Sequence, residues 1–141
     1  MTLKAAILTI AFACALVGAG PSFARDPQSE GRATAEQLIA QALADDPSKE
    51  VTAQVYTFPP GVVLPWHIHP DAHEIAYVLE GTFTFERAGE APKEIATGEV
   101  EYLAPNVVHR GMNKTDKPMR LFVVRIKPKD KPLVEEVPPP R

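Results

Sequence analysis

From Lys49 onward the apolar and polar positions alternate with a period of two. Residues two apart in a strand share one face, so this period marks half-buried β-strands. The stretches "VTAQVYTF", "VVLPWHIH", "EIAYVL", "TFTFE", "KEIAT", "VEYLA", "VVHRG" and "RLFVVRI" each fit. Turn residues separate them at Pro59-Pro60-Gly61, Pro70-Asp71, Glu80-Gly81, Ala88-Gly89, Thr97-Gly98, Pro105-Asn106 and Asn113 to Pro118. About eight short strands at close spacing predict an antiparallel sandwich or barrel. Ahead of them, "TAEQLIAQALADDP" predicts a short helix. Thr34 and Gln37 would form its capping box, Leu38, Ile39, Ala42 and Leu43 its apolar stripe, and Pro47 lies past its end. Behind them, "KPKDKPLVEEVPPPR" is charged and rich in proline and predicts an extended tail.

The first 24 residues do not fit a packed domain. Lys4 precedes the apolar run "AAILTIAFACALVGAG", and Ser22 and Ala24 stand at the small-residue positions of a cleavage site ahead of Arg25. This is the pattern of a secretory signal peptide. The run falls short of the ~20 residues that span a bilayer. The chain thus divides into a signal (1–24), a lead-in and helix (25–48), a barrel (49–127) and a tail (128–141). The expected location is secreted or periplasmic, with no membrane attachment once the signal is removed. Cys14 is the only cysteine and leaves with it, which excludes disulfides and thiolate catalysis in the exported domain. Net charge is −3, and no basic patch suggests nucleic acid.

Three of the four histidines crowd into "WHIHPDAHE". His67 and His69 share a strand face. After the turn at Pro70-Asp71 the chain can return so that Glu74 faces the same interior, while His73 takes the opposite parity. His109 lies in a later strand. Two ionisable groups on an otherwise apolar strand are costly to bury unpaired. Three imidazoles and a carboxylate suit one divalent transition metal ion: Fe, Mn, Ni, Cu or Zn. No G-x-S-x-G elbow is present, and the histidines cluster too tightly for a hydrolase triad.

From Gly61 the chain resembles the first cupin motif, G-x5-H-x-H-x4-E-x6-G, at Gly61, His67, His69, Glu74 and Gly81. It resembles the second, G-x5-P-x-G-x2-H-x3-N, at Gly98, His109 and Asn113. There Ala104 stands in place of the proline, with Pro105 one residue late, and Asn106 replaces the glycine. Asparagine tolerates the left-handed backbone that glycine would supply. The resemblance spans Val51 to Ile126. It implies an all-β fold, a small antiparallel jelly-roll barrel, here with the short N-terminal helix added. It also implies one divalent metal held by His67, His69, Glu74 and His109, with Asn113 supporting a turn.

The activity that the resemblance implies is that of a dioxygenase-type oxidoreductase on a small enolic, phenolic or dicarbonyl compound, with Glu74 as catalytic base. The alternative is an exported module that binds a small ligand or metal without turnover. A homodimer is also implied. Strand parity gives the surroundings. Val63, Ala76, Val78, Val107 and Gly111 are expected inside. Val62, Leu64, Trp66, Ile68, Ile75, Tyr77 and Leu79 are expected outside, where the helix or a second subunit would cover them. Arg110 and Arg125 read as solvated strand residues.

Overall fold

The computed structural model describes residues 31–141, so the predicted signal lies outside the described residues. Among the described residues ten strands follow one another: β1 (Thr34–Ala42), β2 (Lys49–Phe58), β3 (His67–Ile68), β4 (His73–Glu80), β5 (Thr82–Arg87), β6 (Lys93–Ala96), β7 (Val100–Leu103), β8 (His109–Met112), β9 (Met119–Pro128) and β10 (Glu135–Glu136). They form two five-stranded sheets, in the orders β1-β2-β9-β4-β7 and β10-β3-β8-β5-β6. All pairings are antiparallel. The inner faces meet around Phe58, Val78, Phe83, Ile95, Leu103 and Met119. This is the all-β jelly-roll expected from the period-two pattern.

The helix expected at "TAEQLIAQALADDP" is not formed. Residues 34–42 are the edge strand β1, paired along β2 from Thr34↔Thr57 to Ala42↔Glu50. The open edge of β2 offers a row of backbone donors and acceptors, and pairing with it overrides a modest local helix preference. Leu38 is the extra residue of a bulge between Gln37 and Ile39, so the stripe read as helical does not share one face. Leu38 and Ile39 stay about half exposed and cover nothing.

Two further expectations change. In "VVLPWHIH" only His67 and Ile68 are strand. Pro65 has no N–H to give a ladder and breaks the alternation. Val62 is therefore buried and Val63 exposed, the reverse of the expected parity, and Leu64 lines the interior. The tail also folds back: Glu135 and Glu136 pair with Ile68 and His67.

Register places the polar end of the barrel. Opposite residues in antiparallel strands share a face. Glu74↔Arg125, Ala76↔Val123 and Val78↔Leu121 all point inward between β4 and β9. The interior is thus apolar where β4 ends and charged where it begins, which is also where β3 delivers its histidines. On the opposite face of the same sheet, Ile75, Tyr77, Leu79, Val100, Tyr102 and Ile126 remain exposed, as the alternation along β4 and β9 predicts.

Candidate metal centre

His67 on β3 faces His109 on β8 directly across the ladder. His69 follows His67 by two and projects to the same side. The imidazole centroids lie 4.2 Å apart for His67–His109, and 5.0 Å for each of the other two pairs. One ligand nitrogen from each ring falls within 4.8 Å of the others. All three rings are buried.

Backbone carbonyls orient each ring. His67 Nδ1 lies 2.9 Å from Pro65 O, His109 Nδ1 2.9 Å from Val107 O, and His69 Nδ1 2.6 Å from Leu133 O. A carbonyl only accepts, so each Nδ1 carries the proton and each Nε2 presents a lone pair. Burial, which penalises the imidazolium, lowers the pKa of His67. Burial, followed by repulsion from His67, lowers that of His109 to about 4. Both rings are neutral donors at neutral pH.

Glu74 Oε2 sits 2.9 Å from His69 Nε2 and 2.6 Å from Arg125 Nε. Burial would raise the carboxyl pKa. The Arg125 guanidinium beside it outweighs burial and holds the value at about 2. With the His69 proton on Nδ1, its Nε2 and Glu74 Oε2 turn two lone pairs toward each other, and that nitrogen is buried without a hydrogen bond. A cation bound there would take up both. Neutral imidazoles beside an ionised carboxylate form a donor set that fits a divalent transition metal.

The structure brings His67, His69 and His109 together and sets Glu74 at their side. It leaves His73 on the outer face, exposed, stacked on Tyr102 and 2.8 Å from its hydroxyl. Asn113 is fully buried and touches no ligand ring. Its Nδ2 donates to Phe58 O, Pro59 O and Lys117 O, and its Oδ1 accepts from Thr115, so it ties two turns. Asn106 takes the left-handed backbone expected of it, with φ 63°. It also bonds reciprocally to Asp71: Asp71 N donates to Asn106 Oδ1 at 3.0 Å, and Asn106 Nδ2 to Asp71 Oδ1 at 2.9 Å. The turn after His69 is clamped to the turn before His109.

Sequence reasoning missed two parts of this site, Arg125 and a tail carbonyl, and read Arg110, outside the site, as solvated. Arg125 is 5% exposed, not solvated. Its Nη1 donates to Gln54 Oε1 at 2.9 Å and Tyr56 Oη at 3.0 Å. Its inward alternation with Leu121 and Val123 was the available signal. Arg110 is half-buried, stacked over Trp66 at 4.7 Å and paired with Glu86 at 2.7 Å. Leu133, in the segment read as a free tail, supplies the carbonyl that orients His69. Nothing in the sequence marked a backbone oxygen 64 residues away.

The site opens into a narrow pocket. Leu64, Ala76, Phe83, Phe85, Leu121 and Val123 give it an apolar wall. Tail residues Val134 and Glu136 stand at the mouth beside Pro65, His67, His69 and Arg125.

The family model for the cupin domain (Cupin_2) matches residues 54–125. Compared by sequence with curated proteins, the chain finds no match. Solved structures share its fold. A conserved protein with a double-stranded β-helix domain from Klebsiella pneumoniae is 19% identical, with TM-score 0.61, over 78% of this chain and 88% of that one. Oxalate oxidase in complex with the substrate analogue glycolate is 21% identical, with TM-score 0.60, over 81% and 59%. DMSP lyase DddQ from Ruegeria pomeroyi is 21% identical, with TM-score 0.60, over 81% and 56%.

Proposed function

The chain belongs to the cupin domain family, and from that premise we propose that it is a metal-dependent oxidoreductase of the dioxygenase kind. Its substrate would be a small compound with an enolic, phenolic or dicarbonyl oxygen. The observation that carries this reading is the convergence of three oriented imidazoles, from His67, His69 and His109, on the floor of an open pocket. A purely structural site would gain nothing from a mouth. Fold likeness does not select the reaction, since an oxidase and a lyase both share this barrel.

In this reading the three Nε2 atoms and Glu74 hold one divalent ion: Fe, Mn, Ni, Cu or Zn. Such an ion, if bound, would supply Lewis-acid chemistry that acidifies an enol or phenol, and any of these metals except Zn could add redox chemistry toward dioxygen. The carbonyls of Pro65, Val107 and Leu133 keep the rings aimed without motion. Phe83, Phe85 and Leu121 exclude water from the reacting centre. Glu74 takes the proton that the substrate gives up. A carboxylate held at about 2 is a weak base, so it serves a proton that is already acidified rather than an ordinary alcohol.

The test is oxygen uptake with catechols, β-diketones and flavonols, wild type against Glu74→Gln, at matched metal content. Uptake by the wild type that Glu74→Gln abolishes is the expected result. Uptake by neither protein moves the reading to a non-catalytic binding module, which the tail at the mouth favours. Equal uptake reduces Glu74 to a ligand.

Two further parts of the proposal concern location and assembly. Export rests on the signal pattern ahead of Arg25, and N-terminal sequencing of the secreted product should begin at or near Arg25. A homodimer rests on the exposed outer face at Ile75, Tyr77, Leu79, Val100 and Tyr102, a contiguous apolar patch of the kind that marks an interface. Sedimentation should give a dimer that Tyr77→Glu converts to a monomer. A monomeric wild type at micromolar concentration overturns that part.

A further inference from the structure

Arg125 has more donors than its role beside Glu74 requires. Its Nε serves Glu74, and its Nη1 is fixed by Gln54 and Tyr56. Tyr56 in turn donates to Gln54 Oε1 at 2.8 Å, which closes the triangle and leaves Nη1 no freedom. Nη2 has no hydrogen-bond partner among the described residues. Arg125 lines both the inner cavity and its mouth, as His67 and His69 do. A guanidinium held by two of its nitrogens and open at the third is a preorganised anion receptor.

Charge points the same way. The other buried inward cation on β9, Lys127, is neutralised by Glu50 at 3.0 Å. At the site the Glu74 carboxylate faces both Arg125 and the proposed divalent ion, and Glu136 at the mouth is the other acid that lines it. The pocket is left with surplus positive charge inside an apolar wall, where an unpaired charge is costly. An anionic ligand would offset it. The two attachment points are also close. Arg125 Nε and His69 Nε2 share the same Glu74 oxygen, at 2.6 and 2.9 Å. A ligand spanning them needs its anionic group next to its metal-seeking oxygen.

We propose that Arg125 Nη2 is the specificity determinant of this site, and that the substrate carries a carboxylate adjacent to its enolic, phenolic or carbonyl oxygen, as in a small 2-oxo acid. This narrows the substrate class of the reading above and rests on it for the metal. If Arg125 only neutralised Glu74, a point charge would do as well and the third nitrogen would be idle.

The experiment titrates pyruvate and its uncharged isostere pyruvamide into the full chain, with cobalt(II) bound and without it. Binding is followed by the cobalt absorption bands and by calorimetry. The wild type should prefer the acid by at least about tenfold, the scale of one hydrogen bond between charged partners. Arg125→Lys keeps a cation beside Glu74 but lacks the fork, and should bring that ratio close to one while the affinity for cobalt changes little. Equal binding of acid and amide by the wild type overturns the proposal, as does a preference that survives in Arg125→Lys, or binding of neither compound in either form. Failure to hold cobalt would instead count against the metal reading. The acid-over-amide preference of the metal-free chain would then decide the role of Arg125 by itself.

Discussion

Ending the chain after Lys131 removes the segment that orients one ligand histidine. Three contacts go with it: Leu133 O to His69 Nδ1 at 2.6 Å, Val137 N to Trp66 O at 2.9 Å, and the pairing of β10 with β3. No core side chain is lost, since residues 132–141 are exposed or half-buried. Stability should therefore fall modestly, by the roughly 1 kcal/mol per hydrogen bond that surface ladder contacts contribute. Metal affinity should fall more. Loss of the partner that orients a ligand imidazole costs about 10–100-fold, or about 1.4–2.8 kcal/mol, because the freed ring must be re-ordered at each binding event. The assay is competition for zinc against a chromophoric chelator, on protein shown to be folded by circular dichroism. Leu133→Ala is the control: it keeps the carbonyl and should keep the affinity. A truncated, folded chain that holds zinc within twofold of the full chain would refute the reasoning and return the tail to a passive role.

His67→Ala, His69→Ala and His109→Ala should each lose most of the bound metal, and His73→Ala should keep it, because His73 points to the outer face beside Tyr102. Metal content per chain checks this, and emptying by His73→Ala alone would disprove the ligand set. Gly111→Ala should destabilise by about 1–3 kcal/mol, read as a lower melting temperature, because a Cβ there would lie 2.5 Å from the Phe83 ring. Asn106→Ala should cost more than Asn106→Gly by about 1 kcal/mol, since both lose the clamp on Asp71 but only alanine strains the left-handed backbone; equal melting temperatures would contradict that.

The barrel strands were legible because a period of two is imposed by geometry wherever one face is buried. The alternation along β4 and β9 placed Glu74, Ala76 and Val78 inward, and Ile75, Tyr77 and Leu79 outward. It misled where the backbone departed from regular strand. At Pro65 the missing donor interrupted the ladder, and every parity upstream of it came out reversed. At β1 the signal was a real local preference: a capping pair and a stripe at helical spacing. What decided that segment was the unpaired edge of β2, which a one-dimensional pattern cannot display. An edge strand with both faces exposed also carries little alternation to read.

The ligand histidines were legible for a different reason. Spacing within one strand and one turn sets their geometry, so His67, His69 and Glu74 could be placed from local rules and His109 from the motif that accompanies them. Arg125, Gln54, Tyr56 and Leu133 depend on which strand lies beside which. Arg125 becomes the partner of Glu74 only through the register of β9 on β4, and Gln54 and Tyr56 join it only because β2 lies on the other side of β9. The chemistry of the site divides along the same line. Local sequence specifies the atoms that would hold a metal, whereas long-range pairing specifies the charge, the open donor and the carbonyl that determine what the site accepts. Changes confined to β2, β9 or the tail can therefore alter ligand choice while the motif stays intact, and two chains that share the motif need not share a substrate.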